Sequence, residues 1–440
     1  MKQLEMSNLL QKLSNLGLET LGYLSSKFSQ DFITTMEGLC TTLLELKGEA
    51  TSVAIAEEIL ALYARAEPEQ KKEFFHFLHE QLGSNEEKIL AAIEVYQQAP
   101  SEAAAQDLAR ACEATRRELL HMLNTAPGGT QALIDMREEL QQLMRDDPAF
   151  AILDSELLNL FQSWFNRGFL KLRSIDWNTP ALILEKLIQY ESVHEIQGWP
   201  DLRRRLATDR GCFGFFHPAM PDVPLIFVEA ALTRGISTNI TELLQQETPD
   251  EQDERLPDTA MFYSINNCLQ GLRGVSFGSF LIKRVIERLS AEAPHIQNFV
   301  TLSPVPGFMR WLRAQPSLDT LLEDTQLASV QALLARQEAE ADYLQNDKDL
   351  RDALLFLCAH YLVNEKSRGS PADAVARFHL GNGARLEQIN WLADSSPNGL
   401  QQAAGLMVNY VYDLKQLARN HEAYQQRREV ACSAAIRKLL

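Results

Sequence analysis

Apolar positions recur three and four apart through most of the first 172 residues, so this region predicts helices and almost nothing else. Between Glu58 and Leu82 the ladder runs Ile59, Leu60, Leu62 and Tyr63, then Phe74, Phe75, Phe77, Leu78 and Leu82. Pro68 breaks it, because proline offers no N–H to a helix ladder. Gly83-Ser84-Asn85 reads as a helix stop followed by an N-cap. Ala126-Pro127-Gly128-Gly129-Thr130 and Asp146-Asp147-Pro148 read as turns. Five to eight antiparallel helices would account for the region. The three phenylalanines predict a packing ridge. His76, His79 and His121 lack a carboxylate or cysteine at ligand spacing and read as ordinary helix residues.

The period changes near Ser174-Ile175-Asp176-Trp177. One more helix, Ala181 to Tyr190, leads to Arg203-Arg204-Arg205, which reads as a solvated helix face. Two β-rich segments, Cys212 to Phe216 and Leu225 to Leu232, are joined as a hairpin by His217 to Asp222. Residues 246–258 form an acidic, proline-punctuated loop. From Thr259 to Trp311 the pattern is an apolar run (Met261 to Ile265), a glycine-bearing turn (Gly271 to Gly278) and an amphipathic run (Ser279 to Leu289). A second apolar run, Asn298 to Leu302, then stops at Ser303-Pro304-Val305-Pro306-Gly307. That order is strand, turn, helix, strand and a stiff loop headed by a hydroxyl. Helical patterning returns to about Asn364. His379, in Phe378-His379-Leu380-Gly381, reads as part of a connection. Strands over Leu386 to Trp391 and Met407 to Tyr412 precede a closing helix, and no internal repeat is evident.

A chain of 440 residues predicts two domains. With 45% hydrophobic and 23% charged residues it has the composition of a globular protein. The net charge of −17 argues against nucleic acid as a partner, since that hold needs clustered Lys and Arg. It leaves room for a small anion, because a nest of N–H groups acts locally. Six scattered cysteines without a CxxC pair point to a reducing compartment rather than to zinc or a disulfide framework. No run reaches the ~18 apolar residues of a membrane span. The start carries Glu5 and Glu19 and lacks transit- or signal-peptide character, so the cytoplasm is expected.

The glycine turn sits where a helix N-terminus favours an anionic group such as a pyrophosphate, with Arg273 as a side-chain contact. It fits neither GxxxxGK[ST] nor GxGxxG, which disfavours an NTPase or dinucleotide site. Ser303 ends the second strand of a βαβ unit, the edge where ligands of α/β sheets gather. His379 has the side chain best suited to move a proton near neutral pH. No GxSxG surrounds Ser303, so a hydrolase triad is unsupported.

Five blocks in order carry a resemblance: FFHPAMPDVPLIFVEAALTRGIS, MFYSINNCLQGLRGVSFGSFLIKRV, FVTLSPVPGFMRWL, ARFHLGNGARLEQINWLAD and GLMVNYVYDL. Together they resemble the malonyl-CoA decarboxylase family over most of residues 173–415. The resemblance implies an α+β fold: an all-α helical bundle over 1–172, used in self-association, then a GNAT-like mixed α/β catalytic domain over 173–440. It implies conversion of malonyl-CoA to acetyl-CoA and CO2 without a metal or organic cofactor, and a homo-oligomer, dimer or tetramer. Carried over by position, Ser303 and His379 are the catalytic pair. Arg273, Gly274, Val275, Ser276, Phe277, Gly278 and Ser279 form the substrate turn, and Tyr412 lies in the active site. Ser276 stands where some members have glutamate. Loss of CO2 leaves a thioester enolate, for which an imidazolium at His379 is the expected proton donor. Two rival readings stay open, an acyltransferase that needs an amine acceptor and a non-catalytic acyl-CoA sensor.

Overall fold

A computed structural model of the chain describes residues 31–46, 48–166, 168–246, 256–275, 281–336, 340–367 and 369–440. The amphipathic start and most of the acidic loop lie outside these residues. Two compact units are present. The first holds the helical region to Phe169 together with His217–Pro221 and Leu269–Ser276, and the second holds the rest.

Among the described residues the helical unit has eight α-helices: α1 (Phe32–Glu45), α2 (Glu49–Arg65), α3 (Pro68–Glu80), α4 (Glu86–Gln98), α5 (Glu102–Ala111), α6 (Thr115–Leu123), α7 (Gly129–Leu143) and α8 (Ala151–Trp164). Pro68 opens α3 at its first turn, where a missing N–H costs nothing, and Glu67 and Gln70 cap each other's backbone. Asn85 caps α4 by accepting from the Lys88 amide at 2.9 Å, as its position after Gly83 predicts. Phe74, Phe75 and Phe77 are buried. Phe74 packs 5.6 Å from Tyr63 and Phe75 lies 5.9 Å from Phe150, centroid to centroid. Each ring removed from water contributes about 1.5–3 kcal/mol, so the ridge is the main glue between α2, α3 and the start of α8.

The second unit is built on one mixed sheet. Its strands are β1 (Lys171–Ile175), β2 (Arg210–His217), β3 (Met220–Thr233), β4 (Thr259–Asn267), β5 (Asn298–Thr301) and β6 (Ser303–Pro304). A separate two-stranded ribbon pairs β7 (Lys366–Ser367) with β8 (Ser370–Pro371). The main sheet is completed by β9 (Arg385–Asn390) and β10 (Met407–Val411). The order is β1-β2-β3-β4-β5-β10-β6, with β9 paired to β10. β4 and β5 are parallel, whereas β1–β2, β3–β4, β5–β10, β6–β10 and β9–β10 are antiparallel. Helices α9 (Ala181–Tyr190), α10 (Trp199–Arg205), α11 (Ile240–Gln245) and α12 (Leu281–Glu292) flank the first half of this unit. The helical insertion contains α13 (Phe308–Arg313), α14 (Asp324–Leu334), α15 (Ala341–Gln345) and α16 (Lys348–Val363), and α17 follows over Ala374–Gly381. One face of the sheet buries Met261, Tyr263, Val300, Leu302 and Met407 against Ile240 and Leu243 of α11. A helical region followed by a mixed α/β domain is the fold expected.

The arginine run departs from expectation. Arg205 is buried, with Nη1 donating to Glu229 at 3.0 Å, Nε to Asp201 at 3.1 Å and Nη2 to the His194 carbonyl at 2.8 Å. Arg204 grips Asp209 through two bonds of 2.7 Å, and Arg203 lies over the Trp177 ring. Arg205 is drawn inward by Glu229, which stands in the otherwise apolar run Leu225 to Leu232 and is too costly to bury without a partner.

Candidate active site

The site begins where two parallel strands part. Pairing of β4 with β5 ends at Phe262 and Thr301, and the Leu302 amide makes a last bond of 2.8 Å to the Phe262 carbonyl. β4 then continues to Asn267 while the other chain turns away. At the same point β4 carries a bulge: Ala230 faces Phe262 and Glu229 faces Ser264, leaving Tyr263 unmatched. A bulge re-aims side chains and interrupts the ladder, so this stretch of β4 is open toward its neighbour. A cavity of about 250 Å³ lies there. Its walls come from Val193, Ile226, Phe262, Ile265, Leu281, Val375 and Phe378, and its polar residues are Ser303, His379, Tyr263 and Asn267. No Lys or Arg is among the described residues that line it.

Ser303 is placed by β10. The chain breaks stride at Leu302, and Ser303 resumes pairing opposite Val408 as β6 instead of ending β5. Its Oγ lies 2.8 Å from Thr301 Oγ1 and 3.1 Å from His379 Nε2. Thr301 is itself held, since the Tyr410 amide donates to its Oγ1 at 3.3 Å.

His379 is not in a connection. It sits on α17, which Asp373 caps by accepting from the amides of Val375 and Ala376, both at 2.9 Å. The following glycines do not prevent the helix; they end it, with Gly383 at φ +84°. The ring is buried and stacks on Tyr410 at 4.6 Å. Its Nδ1 lies 2.8 Å from the Tyr412 hydroxyl. Burial depresses the His379 pKa from its ordinary value to about 3 and lifts the Tyr412 phenol well above its usual range. Burial therefore favours the neutral imidazole in the free chain, whereas the proton donor expected from the resemblance is an imidazolium at His379. With no anion beside it among the described residues, none of them offsets the cost of burying the charged ring.

Of the expected site residues, Ser303, His379 and Tyr412 meet in one hydrogen-bonded row. Arg273, Gly274 and Val275 belong to the helical unit and take no part in that row. There the buried Arg137 grips Asp154 with Nε and Nη2 and donates from Nη1 to the carbonyls of Gly271 at 2.7 Å and Arg273 at 2.9 Å. A Cβ on Gly271 would stand 2.0 Å from the Ile134 carbonyl, so only glycine fits, and Gly274 has φ +87°. Ser276, Phe277, Gly278 and Ser279 lie outside the described residues. Thr301, Tyr410 and Asp373 escaped the sequence reading. Asp373 could have been found as an N-cap residue before Ala374-Val375-Ala376. Thr301 leaves no pattern beyond standing two residues before Ser303. No group of three or more His, Cys, Asp or Glu suited to a metal occurs among the described residues.

A family model described as the malonyl-CoA decarboxylase C-terminal domain matches residues 168–440, and one for the N-terminal domain matches residues 82–165. The chain is 33% identical over 430 residues to the mitochondrial malonyl-CoA decarboxylase of Rattus norvegicus, covering 92% of this chain and 85% of that one. To the corresponding protein of Anser anser anser it is 36% identical over 345 residues, 73% and 68% of the two chains. Among solved structures it is similar to malonyl-CoA decarboxylase from Rhodopseudomonas palustris, with 47% identity, TM-score 0.84 and coverage of 92% and 98%. The Agrobacterium vitis structure gives 46%, 0.85, 92% and 99%.

Proposed function

The chain belongs to the malonyl-CoA decarboxylase family, and from that premise we propose that Ser303, His379 and Tyr412 carry its chemistry. The reaction converts malonyl-CoA to acetyl-CoA and CO2. The observation that carries the proposal is the row Tyr412–His379–Ser303 at the polar end of an apolar cavity.

Proton positions follow from the partners. The Tyr412 phenol stays protonated and gives its hydrogen to Nδ1, so the imidazole holds its own proton on Nε2 and donates toward Ser303 Oγ. The serine hydroxyl in turn donates to Thr301 Oγ1 until substrate offers another acceptor. The thioester oxygen takes that place, and Oγ–H and Nε2–H face the charge that grows on it as CO2 leaves. A fixed donor of this kind is worth ~3 kcal/mol. The malonyl carboxylate meets apolar walls with no cation among their described residues, which favours the state in which its charge has left for the enolate. The electron pair of the broken C–C bond becomes the enolate. Its α-carbon then takes a proton from the Ser303–His379 pair, and solvent restores that proton after product release.

Arg273, Gly274 and Val275, with Ser276 to Ser279, form the cradle for the CoA pyrophosphate. Support comes from the family resemblance and from the clamp that Arg137 places on the carbonyls of residues 271 and 273. The protein works as a homo-oligomer through its helical unit, where Leu90, Val95 and Tyr96 are exposed on α4, and light scattering would report a dimer or tetramer. It works in the cytoplasm; six free cysteines suit a reducing compartment, and cell fractionation tests this.

The test is CO2 release from malonyl-CoA alone by the purified full chain, beside Ser303→Ala and His379→Ala. Turnover without an acceptor amine, lost in both variants, is the expected result. Unchanged turnover in the variants would sink the site, and an inactive parent would sink the activity.

A further inference from the structure

The two reacting side chains stand on separate pieces of chain, the Ser303–Gly307 loop and α17, and one buried carboxylate touches both. Asp373 is 1% exposed. Its Oδ1 makes both capping bonds at the start of α17. Its Oδ2 makes no hydrogen bond of good geometry and faces Gly307 of the serine loop. A Cβ at residue 307 would lie 3.4 Å from that oxygen and 2.3 Å from the Tyr361 hydroxyl. Residue 307 lies this close to the Tyr361 hydroxyl only because it has no side chain, and its backbone then rests against the Asp373 oxygen. A single cap needs one oxygen, and serine or asparagine supplies it as well as aspartate does. Burying a second, poorly satisfied carboxylate oxygen costs stability, so the cap alone does not account for an acid at this position. The Gly307 amide pulls against the burial that raises the acid's pKa, which agrees with a charge-assisted tie to the loop.

We propose that Asp373 is a positioning residue for the decarboxylation, holding the His379 helix against the Ser303 loop and so fixing the 3.1 Å Ser303–His379 separation. This inference rests on the assignment of Ser303 and His379 made above. The lever is short: six residues of helix separate cap from imidazole, roughly 9 Å of rise, so a tilt at the cap reaches the ring undamped. Misplacement of a reacting group by about 1 Å costs on the order of 100-fold in rate.

Asp373→Asn separates the two duties, keeping an acceptor for the Val375 and Ala376 amides while presenting an NH2 group to the Gly307 amide. In the purified full chain it is expected to lower kcat for malonyl-CoA by ~10–100-fold. KM should stay within about twofold and Tm close to the parent value, because cap and substrate contacts persist. Asp373→Ser, also a capping residue without a second oxygen, should behave alike and stands in if the asparagine variant folds poorly. Added to Ser303→Ala, Asp373→Asn should cost little more, since it acts through the same pair. Parent-like kcat in either variant overturns the proposal. So does an undiminished loss in the Ser303→Ala background, or a kcat loss matched by a falling folded fraction. If Ser303→Ala and His379→Ala are themselves fully active, the fault lies with the site assignment, and the two failures are told apart.

Discussion

His379 Nδ1 and the Tyr412 hydroxyl lie 2.8 Å apart between two buried side chains, and in the proposed mechanism this contact sets the ring's tautomer, with the proton on Nε2 toward Ser303. Tyr412→Phe removes that decision. The ring can then carry its hydrogen on either nitrogen and no longer presents a donor to Ser303 at all times. The expected result is a kcat lower by ~10–100-fold with KM nearly unchanged, read from initial rates of CO2 release. A variant with parental kcat would remove Tyr412 from the mechanism.

Thr301→Val and Thr301→Ser separate shape from chemistry. Valine deprives both the Ser303 hydroxyl and the Tyr410 amide of an acceptor, whereas serine restores it. The valine variant should lose about 1–3 kcal/mol of stability, seen in urea melts, together with activity. The serine variant should recover most of both.

The depressed pKa of His379 has a signed consequence. Its folded value is about 3 against an ordinary 6.5, so between those limits the unfolded chain binds the extra proton. The stabilisation is complete above about pH 6.5 and is lost as pH falls toward 3. His379→Gln should therefore show a shallower decline of stability over that window than the parent, by up to about 1.4 kcal/mol per pH unit. Parallel curves of urea midpoint against pH would refute this.

Glu229 runs the other way. Burial, reinforced by the neighbouring Glu191, lifts its carboxyl to about 8 despite the Arg205 contact. A raised acid pKa gives stability that is present below the ordinary carboxyl pKa and lost as pH climbs through 8. Glu229→Gln keeps the shape and cannot ionise, so its melting temperature should fall less than the parent's between pH 6 and 8. Glu229→Ala, which leaves a hole and an Arg205 Nη1 without its partner, should melt lower at every pH.

Arg137→Met should destabilise the helical unit by about 3–5 kcal/mol, because it strips two carbonyls of their donor and leaves the Asp154 carboxylate with Gln141 but without its counter-charge. Arg137→Lys should not rescue it, since an ammonium cannot reproduce the fork. Differential scanning calorimetry is the direct check.

The parts of the fold that were legible beforehand are those whose pattern is local. The helix Ala181–Tyr190, the hairpin of β2 and β3 and the βαβ order through β5 follow from periodicity, proline and glycine alone. Ser303 was found because a strand stops there. The two glycines near His379 mask a helix of barely two turns in the sequence, although Asp373 stands at its cap. The arginine run was read as solvated because its partners, Glu229 and Asp209, lie far along the chain or beyond the helix end. Thr301 acts only through neighbours that the sheet supplies, and no linear pattern reports a register between β5, β6 and β10.

Arg137 carries a warning for anyone who wishes to cut the protein in two. The segment 269–275 follows β4 in the chain but packs with the helices that precede it by more than a hundred residues. A fragment starting at residue 170 would contain every member of the Ser303–His379–Tyr412 row, yet the carbonyls of Gly271 and Arg273 would have lost the guanidinium that holds them. Such a fragment is a poor surrogate for the enzyme in screening or crystallisation, and disabling substitutions in the helical half need not lie near the chemistry at all.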